Sequence, residues 1–372
     1  MSAAPTLVDL EDLRARVDAL LGEHLDRMEP ELLAAGAGAA PLGDAIRQML
    51  RGGKRLRAAF CYWSWRAHGG EPDGPGAAAV IGVGAALELF QAAALFHDDV
   101  MDDSDTRRGL PAAHRAFAAR HAAARWSGEP ARFGASAAIL LGDLALVASQ
   151  HVLARSIADR PTGRRAQAQA LFDRMCAEVT VGQFLDLMAQ VLPWGEDPAA
   201  DEARAREVIR AKSARYSVEH PVLLGAVLAG ADADALVAAS AFGLPLGEAF
   251  QLRDDVLGVF GDPTTTGKPA GDDLREGKRT VLVARAMAAA SCTGDTELAA
   301  HLRAGLGDTA LDEAACRDLA DRIARSGAVD DVEGLIEVLS HHAFVALAAA
   351  QLVDGPRDVL VRLGHLAVDR QS

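Results

Sequence analysis

Two clusters of aspartates stand far apart in this sequence, and basic residues follow each of them. The clusters span residues 98–105 and 254–255, and the cations downstream are Arg107, Arg108, Lys268 and Lys278. Carboxylate oxygens suit Mg²⁺, a hard cation that also binds substrate phosphates. The pattern therefore predicts a site for a diphosphate, with metal on one side of the ligand and Lys or Arg on the other.

The spacing within the first cluster fits metal binding. Asp98 and Asp102 are four residues apart, which on a helix places both carboxylates on one face. Asp99 points about 100° away and is a candidate for supporting the metal from behind. The alternative is a solvated helix end. The apolar run Leu89–Phe96 that leads into the cluster argues against a fully solvated face.

The second cluster has fewer carboxylates than the first. Asp254 would need a partner four residues later to repeat the first pattern, but that position is Gly258. Asp254 must then hold metal with help from water and phosphate, with Asp255 beside it. A pair of solvated aspartates at a helix end is the alternative.

Two basic segments could bind phosphate. In the segment 52–57, Lys54 and Arg57 are three residues apart and are expected to share a helix face, while Gly52-Gly53 would let backbone N–H groups approach an anion. Arg107-Arg108 could grip phosphate oxygens in a bidentate manner. Solvated surface is the alternative for the first segment, and charge balance for the aspartates is the alternative for the second.

The composition excludes several classes of protein. A net charge of -14 argues against nucleic acid as a main partner. The four scattered cysteines contain no CxxC pair and indicate reduced residues in a cytoplasmic protein. The first residues show no signal-peptide pattern. Apolar runs such as Val222–Gly230 are shorter than the ~20 residues of a membrane span, so we expect no transmembrane segment.

Abundant Ala and few β-branched runs favour helices over sheet. No linker is long or polar enough to divide the chain, so we predict one all-α domain over residues 1–372. Helices are predicted over Leu7–Leu33, Asp44–His68 with a break at Gly52-Gly53, Ala77–Asp103, Ala168–Gln190, Asp201–Gly230, Asp232–Phe260 and most of the remainder to about Leu366.

Together these segments resemble the trans-isoprenyl diphosphate synthases of the polyprenyl synthetase family, over roughly residues 42–283. The resemblance rests on 52–57, the DDxxD at Asp98–Asp102 with Arg107-Arg108-Gly109, Gly182-Gln183, Lys212-Ser213, Phe250-Gln251, Asp254-Asp255, 267–274 and 277–280. It implies a bundle of long helices around a deep central cavity, an isoprenoid synthase-like fold that is usually dimeric. Within this family, the sequence resembles the synthases that make geranylgeranyl diphosphate.

The resemblance also implies a role for each matching residue. About three Mg²⁺ would be held by Asp98, Asp102 and Asp254, with Asp99 and Asp255 beside them. The diphosphate of the allylic substrate would contact Arg107, Gln183, Lys212, Ser213, Gln251, Lys268 and Lys278. The diphosphate of isopentenyl diphosphate would contact Lys54, Arg57, Gln91 and Arg108, with Gln91 standing where the family often has His.

The reaction implied is condensation of isopentenyl diphosphate with an allylic diphosphate, and the cavity floor would set the product length. Ala93 and Ala94 are small, and Phe90 is the next large side chain on that face. Twenty carbons is the expected product, with 25 or more and 15 left open. Two other functions stay open, namely a class I terpene cyclase on the same scaffold and a non-catalytic subunit of a prenyl synthase.

Overall fold

The computed structural model describes residues 7–195, 197–261 and 271–369. Helices dominate these residues, as predicted, and the fold is all-α apart from one short hairpin. The helices are α1 Leu13–Ala35, α2 Ala40–Leu50, α3 Leu56–Ala67, α4 Pro75–Met101, α5 Ala113–Ala123, α6 Pro130–Ser156, α7 Thr162–Val191, α8 Pro198–Val208, α9 His220–Ala229, α10 Ala233–Phe260, α11 Asp272–Arg275, α12 Val281–Thr293, α13 Thr296–Gly305, α14 Glu313–Arg325, α15 Ala328–Ala349 and α16 Asp354–Val368.

Four further elements lie among the described residues. Two 3₁₀ turns, a two-stranded antiparallel hairpin and an 11-residue π-helix lie between the α-helices: Leu10–Asp12, Ala37–Ala39, β1 Thr106–Arg107 with β2 Leu110–Pro111, and Ile209–Glu219. Neither the hairpin nor the π-helix was predicted.

Contacts between Cα atoms group the chain into two compact units. The first comprises Met1–Asp173, Pro221–Leu236 and Gln351–Leu363, and the second comprises Arg174–His220, Val237–Ala350 and Gly364–Ser372. The prediction of a single domain over residues 1–372 stays a prediction.

Helix α4 is the central element of the first unit, and it packs against α1, α3 and α6. Small residues allow these helices to come close. A β-carbon on Gly84 would lie 3.0 Å from the Ala58 side chain of α3, and one on Gly82 would lie 2.5 Å from the Cβ of Ser156. Because α4 is buried nearly all round, its fixed position determines where its acidic C-terminal end lies.

In the second unit, α12 packs against α8, α13 and α15. A partly buried contact also ties α10 to α15 and to the last turn of α16. Arg253 of α10 donates from Nη2 to Glu333 of α15 at 2.6 Å, and from Nε to the Val368 carbonyl at 2.9 Å. These bonds fix the residue immediately before the second aspartate cluster.

Several predicted boundaries are wrong. Asp44 lies inside α2 rather than at its start, because α2 begins at Ala40 with Pro41 in its first turn. The N-terminal helix begins at Leu13, six residues later than predicted. The predicted end of α10 at Phe260 is confirmed, and Pro245 lies inside this helix.

The expectation that every apolar run is too short to cross a membrane also needs correction. Four described helices, α4, α6, α10 and α15, have the length and apolar composition of a membrane span. The prediction counted uninterrupted apolar runs, whereas mean hydropathy over a helix tolerates isolated polar residues. The most apolar stretch of α4 is 83% buried inside the protein, so its hydrophobicity serves the core.

Candidate active site

The first aspartate pair lies at the C-terminal end of α4. The Asp102 N–H donates to the Asp98 carbonyl at 2.8 Å, so the two residues are one helical turn apart, as predicted. Asp103 follows with a positive φ of 52°, which ends the helix. The two carboxylates therefore leave the helix in the same direction, at the point where the chain turns into the β1–β2 hairpin.

The hairpin returns Arg107 to this helix end. Its Nε donates to Asp99 Oδ1 at 2.9 Å, and its Nη2 lies 3.6 Å from Asp98 Oδ2. Asp99 is fully buried. Arg107 thus balances the charge of two adjacent aspartates. One Asp99 oxygen binds Arg107, which favours a supporting role for Asp99.

His97 was not singled out from the sequence, although it directly precedes Asp98. Its Nε2 lies 3.1 Å from the Ile139 carbonyl of α6, and a β-carbon on Gly142 would lie 2.6 Å from the imidazole Cε1. Gly142 therefore makes room for the ring. This contact holds the acidic end of α4 against α6.

The basic segment 52–57 is built around Arg55, which was not among the predicted site residues. Arg55 has a positive φ of 53° and immediately precedes α3. Its guanidinium is buried and contacts Asp18 at 2.7 Å and Glu88 of α4 at 3.2 Å. A β-carbon on Gly53 would lie 2.6 Å from Arg55 Nη1, so Gly53 is required by this arginine.

The prediction that Lys54 and Arg57 share a helix face is wrong. Helix α3 begins at Leu56, and the left-handed Arg55 stands between the two residues, so Lys54 lies outside the helix. Breaking the buried Arg55–Glu88 pair would cost about 3–5 kcal/mol, because one charge would stay buried without its partner. The backbone at Lys54 therefore depends on the salt bridge between its neighbour Arg55 and Glu88.

Arg108 brings a further cation to the same part of the first unit. It has a positive φ of 54°, and its Nη1 donates to the carbonyls of Met49 at 2.9 Å and Arg51 at 3.0 Å. Burial lowers the pKa of Arg108, and the nearby charge of Arg55 lowers it further. Cations gathered in this way favour an anionic ligand.

In the second unit, Lys212 and Ser213 lie on the π-helix. Lys212 Nζ lies 2.6 Å from Asp186 Oδ2 of α7. Asp186 is buried and was not predicted, although it stands four residues after Gly182. A π-helix is rare and usually marks a functional site.

The wide π-helix fits only because its neighbours carry glycine where they touch it. A β-carbon on Gly182 of α7 would lie 2.6 Å from the Lys212 Cα, and one on Gly247 of α10 would lie 2.8 Å from the Ala214 Cα. Both contacts are with backbone, which cannot move aside easily. The two glycines therefore place the backbone of residues 211–214.

Charged residues hold both ends of the π-helix. Glu248 of α10 is buried and accepts from Arg206 at 2.9 Å and from Arg210 at 2.6 Å. At the other end, Glu178 of α7 contacts His220 at 2.7 Å. This hydrogen bond is the main reason why the pKa of Glu178 lies below its usual value.

The second aspartate cluster lies on α10, five and six residues before its end. Burial raises the pKa of Asp255 to about 8, although a 2.8 Å hydrogen bond from Gln251 Nε2 opposes the shift. Lys278 Nζ lies 3.3 Å from Asp273 Oδ1. A cation bound beside Asp254 would favour the ionised form of Asp255 and so oppose the effect of burial.

The predicted floor residues belong to α4. Phe90 and Ala93 are buried, and Ala94 is half-buried. The Phe90 ring meets Phe172 of α7 edge-on, with the ring centroids 6.1 Å apart. Phe172 is fully buried and was not predicted, because its partner lies 82 positions earlier in the sequence.

The two units divide the predicted residues. The first unit holds Lys54, Arg57, Phe90, Gln91, Ala93, Ala94, Asp98, Asp99, Asp102, Arg107 and Arg108. The second unit holds Gln183, Lys212, Ser213, Gln251, Asp254, Asp255 and Lys278. Lys268 lies outside the described residues, and the roles of all these residues stay predictions.

These side chains fit Mg²⁺ shared with a phosphate ligand. Among the described residues, no group of three or more His, Cys, Asp or Glu side chains forms a cage for a metal ion. Mg²⁺ needs no such cage, because it is typically held by one or two carboxylates, water and substrate phosphates. Gln183 Nε2 is buried and makes no hydrogen bond within the described ranges, so a ligand oxygen could satisfy it.

Comparison with known proteins agrees with this helical fold. A profile of the polyprenyl synthetase family matches residues 40–319. The chain therefore belongs to the polyprenyl synthetase family.

Individual relatives are similar over most or part of the chain. A crystal structure of geranylgeranyl pyrophosphate synthase from Corynebacterium glutamicum, complexed with isoprenyl diphosphate and magnesium, is 36% identical with a TM-score of 0.88, and covers 98% of this chain and 100% of that one. Geranylfarnesyl diphosphate synthase from Aeropyrum pernix is 30% identical over 89% of each chain. A short chain isoprenyl diphosphate synthase from Methanothermobacter thermautotrophicus is 34% identical, over 64% of this chain and 65% of that protein.

Gly182→Ala should destabilise the protein by about 1–3 kcal/mol, because the methyl group would collide with the backbone of Lys212. Hydrogen exchange should show faster opening of the amides in 209–219. Gly163→Ala is the matched control, since it lies on the same helix with nothing within 4 Å of the added carbon. Equal exchange in the two variants would contradict the role assigned to Gly182.

Proposed function

We propose that this protein is a Mg²⁺-dependent prenyltransferase that condenses isopentenyl diphosphate with an allylic diphosphate. The observation that carries the proposal is the aspartate pair Asp98 and Asp102, one turn apart at the end of a buried helix, with Arg107 beside it. Family membership and the likeness to a synthase structure complexed with isoprenyl diphosphate and magnesium support it.

About three Mg²⁺ would be held by Asp98, Asp102 and Asp254, with Asp99 and Asp255 as supporting carboxylates. When bound, the metal supplies positive charge that stabilises the diphosphate as a leaving group. Arg107, Lys212 and Lys268 add to this charge from the protein side, and Gln183, Ser213, Gln251 and Lys278 orient the same diphosphate. Such prepositioned charge is worth most where water is excluded.

The proposed condensation needs no strong base from the protein. The bond between the allylic carbon and the diphosphate oxygen breaks, and its electron pair stays on the oxygen. The double bond of isopentenyl diphosphate then forms the new carbon–carbon bond, and the proton lost afterwards passes to the released diphosphate. Lys54, Arg57, Gln91 and Arg108 hold isopentenyl diphosphate in place, so the protein contributes placement and exclusion of water.

The retained basic residues separate this function from the two alternatives. A terpene cyclase needs no site for isopentenyl diphosphate, yet Arg55, Arg57 and Arg108 gather in the first unit. A non-catalytic subunit would be expected to lose one aspartate motif, whereas both clusters are present. Neither alternative accounts for the presence of both acidic clusters and the basic segments in one chain.

Geranylgeranyl diphosphate is the product that we propose. Ala93 has a small side chain about one turn before the aspartates, and Phe90, backed by Phe172, is the next large side chain. The likeness to a geranylgeranyl pyrophosphate synthase supports twenty carbons. The likeness to a geranylfarnesyl diphosphate synthase keeps 25 carbons as the alternative.

We also propose that the protein acts as a cytoplasmic homodimer without a membrane span. Helix α7 exposes apolar side chains at helical spacing, with Val181 55% and Phe184 60% exposed and Met188 one turn further. Helix α6 exposes Leu140 and Val147. Exposed stripes of this kind are typical of surfaces covered by a second copy.

Asp98→Asn should lower turnover by roughly 10²–10³-fold, because it removes a charged metal ligand with little change in shape. Asp103→Asn is the control, since Asp103 is exposed and its carboxylate faces Arg115 at 2.9 Å. Steady-state kinetics with isopentenyl diphosphate and each allylic starter measure the effect. Normal Mg²⁺-dependent turnover in Asp98→Asn would refute the metal assignment.

Ala93→Phe should shorten the product toward fifteen carbons, because the ring fills volume that the growing chain needs. Phe90→Ala should lengthen the product by opening the layer below. Mass spectrometry of the products measures both shifts. Ala92→Phe adds the same ring at a buried neighbouring position, so a similar shortening there would show that the effect is not specific to the floor.

Val181→Asp should weaken self-association by about 2 kcal/mol, since it buries a charge in an apolar interface. Val237→Asp is the control, because Val237 is 70% exposed and lies outside this stripe. Analytical ultracentrifugation over a range of protein concentrations compares the two. A wild type that sediments as a monomer throughout would overturn the dimer.

A further inference from the structure

The second aspartate cluster lacks a carboxylate four residues after Asp254, where the sequence has Gly258. The space beside Gly258 is filled by another acidic residue. A β-carbon built on Gly258 would lie 2.6 Å from the carboxyl carbon of Asp273, and closer still to one carboxylate oxygen. Asp273 thus occupies the place that a side chain at position 258 would take.

The conformation of Asp273 is fixed by its own turn of chain. It lies in the first turn of α11, which follows the left-handed Gly271. Its carbonyl accepts from the Lys278 N–H at 3.0 Å, and its Oδ1 lies 3.3 Å from Lys278 Nζ. The side chain is only 15% exposed. The carboxylate is therefore held toward α10 and does not sample solvent freely.

The charge of Asp273 acts on the second cluster. Burial is the main cause of the raised pKa of Asp255, and the charges of Asp273 and Asp254 both add to it. Lys278 acts in the opposite direction. Three carboxylates and one lysine thus interact electrostatically in this part of the second unit. The surplus of negative charge is what a divalent cation would relieve.

We propose that Asp273 supplies the carboxylate that Gly258 lacks, and that it positions the cation held by Asp254. This inference rests on the proposed function, because it assumes that Asp254 holds Mg²⁺. Gly258 and Asp273 then form a matched pair. The glycine is required because the carboxylate arrives from fifteen residues downstream rather than from the same helix.

The competing explanation is that Asp273 serves only as a counter-ion for Lys278. Glu276 provides the means to separate the two, because it also forms an ion pair with Lys278 Nζ. Asp273→Asn and Glu276→Gln each remove one negative charge from that lysine with little change in shape. Only Asp273→Asn removes the carboxylate next to Gly258.

The test measures metal binding without turnover. Thermal unfolding of the full chain is followed in the presence of inorganic pyrophosphate while Mg²⁺ is titrated, and the midpoint of the stabilisation is compared between variants. Asp273→Asn should raise this Mg²⁺ midpoint by about tenfold, as expected for a residue that supports a metal ligand. Glu276→Gln should leave it near the wild-type value. An unchanged midpoint in Asp273→Asn, or an equal shift in Glu276→Gln, would overturn the proposal.

Moving the carboxylate gives a second, stricter test. Gly258→Asp alone should destabilise the protein, because the new side chain collides with Asp273. Combined with Asp273→Ala, it should recover both stability and the wild-type Mg²⁺ midpoint. Gly258→Asn with Asp273→Ala is the neutral match, which should recover stability but not the midpoint. Equal midpoints in the two double variants would overturn the proposal.

Asp254→Asn separates this inference from the proposed function. It should abolish most of the Mg²⁺-dependent stabilisation that the second cluster contributes. If Asp254→Asn shifts the midpoint and Asp273→Asn does not, only the inference about Asp273 fails. If neither variant changes the midpoint, the assignment of metal to the second cluster fails as well.

Discussion

The proposed site depends on ion pairs that neutralise its cations before any ligand binds. Each described cation assigned to the allylic diphosphate rests against a carboxylate: Arg107 against Asp99, Lys212 against Asp186, and Lys278 against Asp273. Without such partners, each of these partly buried cations would be costly to remove from water. Phosphate oxygens would replace some of these contacts between cations and carboxylates. The binding free energy is therefore the difference between cations paired with carboxylates and cations paired with phosphate.

Close backbone approach is the second requirement, and glycine meets it in several places. Gly182 and Gly247 admit the π-helix, Gly53 admits the Arg55 guanidinium, and Gly258 admits the Asp273 carboxylate. In each case the neighbour is a charged residue or the segment that carries one. The positions of these charged residues therefore depend on glycines that leave room for them.

Residue spacing and composition correctly predicted those parts of the site whose geometry is set within a single helix. The turn between Asp98 and Asp102 and the buried character of α4 follow from spacing and composition, and both are confirmed. Pattern failed where partners are distant in sequence. The left-handed Arg55 is held by Glu88, which is 33 residues away, and this contact removes Lys54 from the helix that the sequence predicts. No local propensity distinguishes Ile209–Glu219 from an α-helix, because the π geometry is imposed by the helices around it.

The π-helix also constrains how this chain can change in length. A π-helix closes its hydrogen bonds five residues apart instead of four, so it accommodates about one extra residue per turn. The 11 residues 209–219 therefore hold about two residues more than the same turns of an α-helix would. Deleting one of them would turn every later side chain by about 100°. Lys212 or the residues that anchor the segment's far end would then face the wrong neighbour. The length of this segment is therefore a structural requirement in its own right, beside the identities of residues such as Arg210 and Lys212.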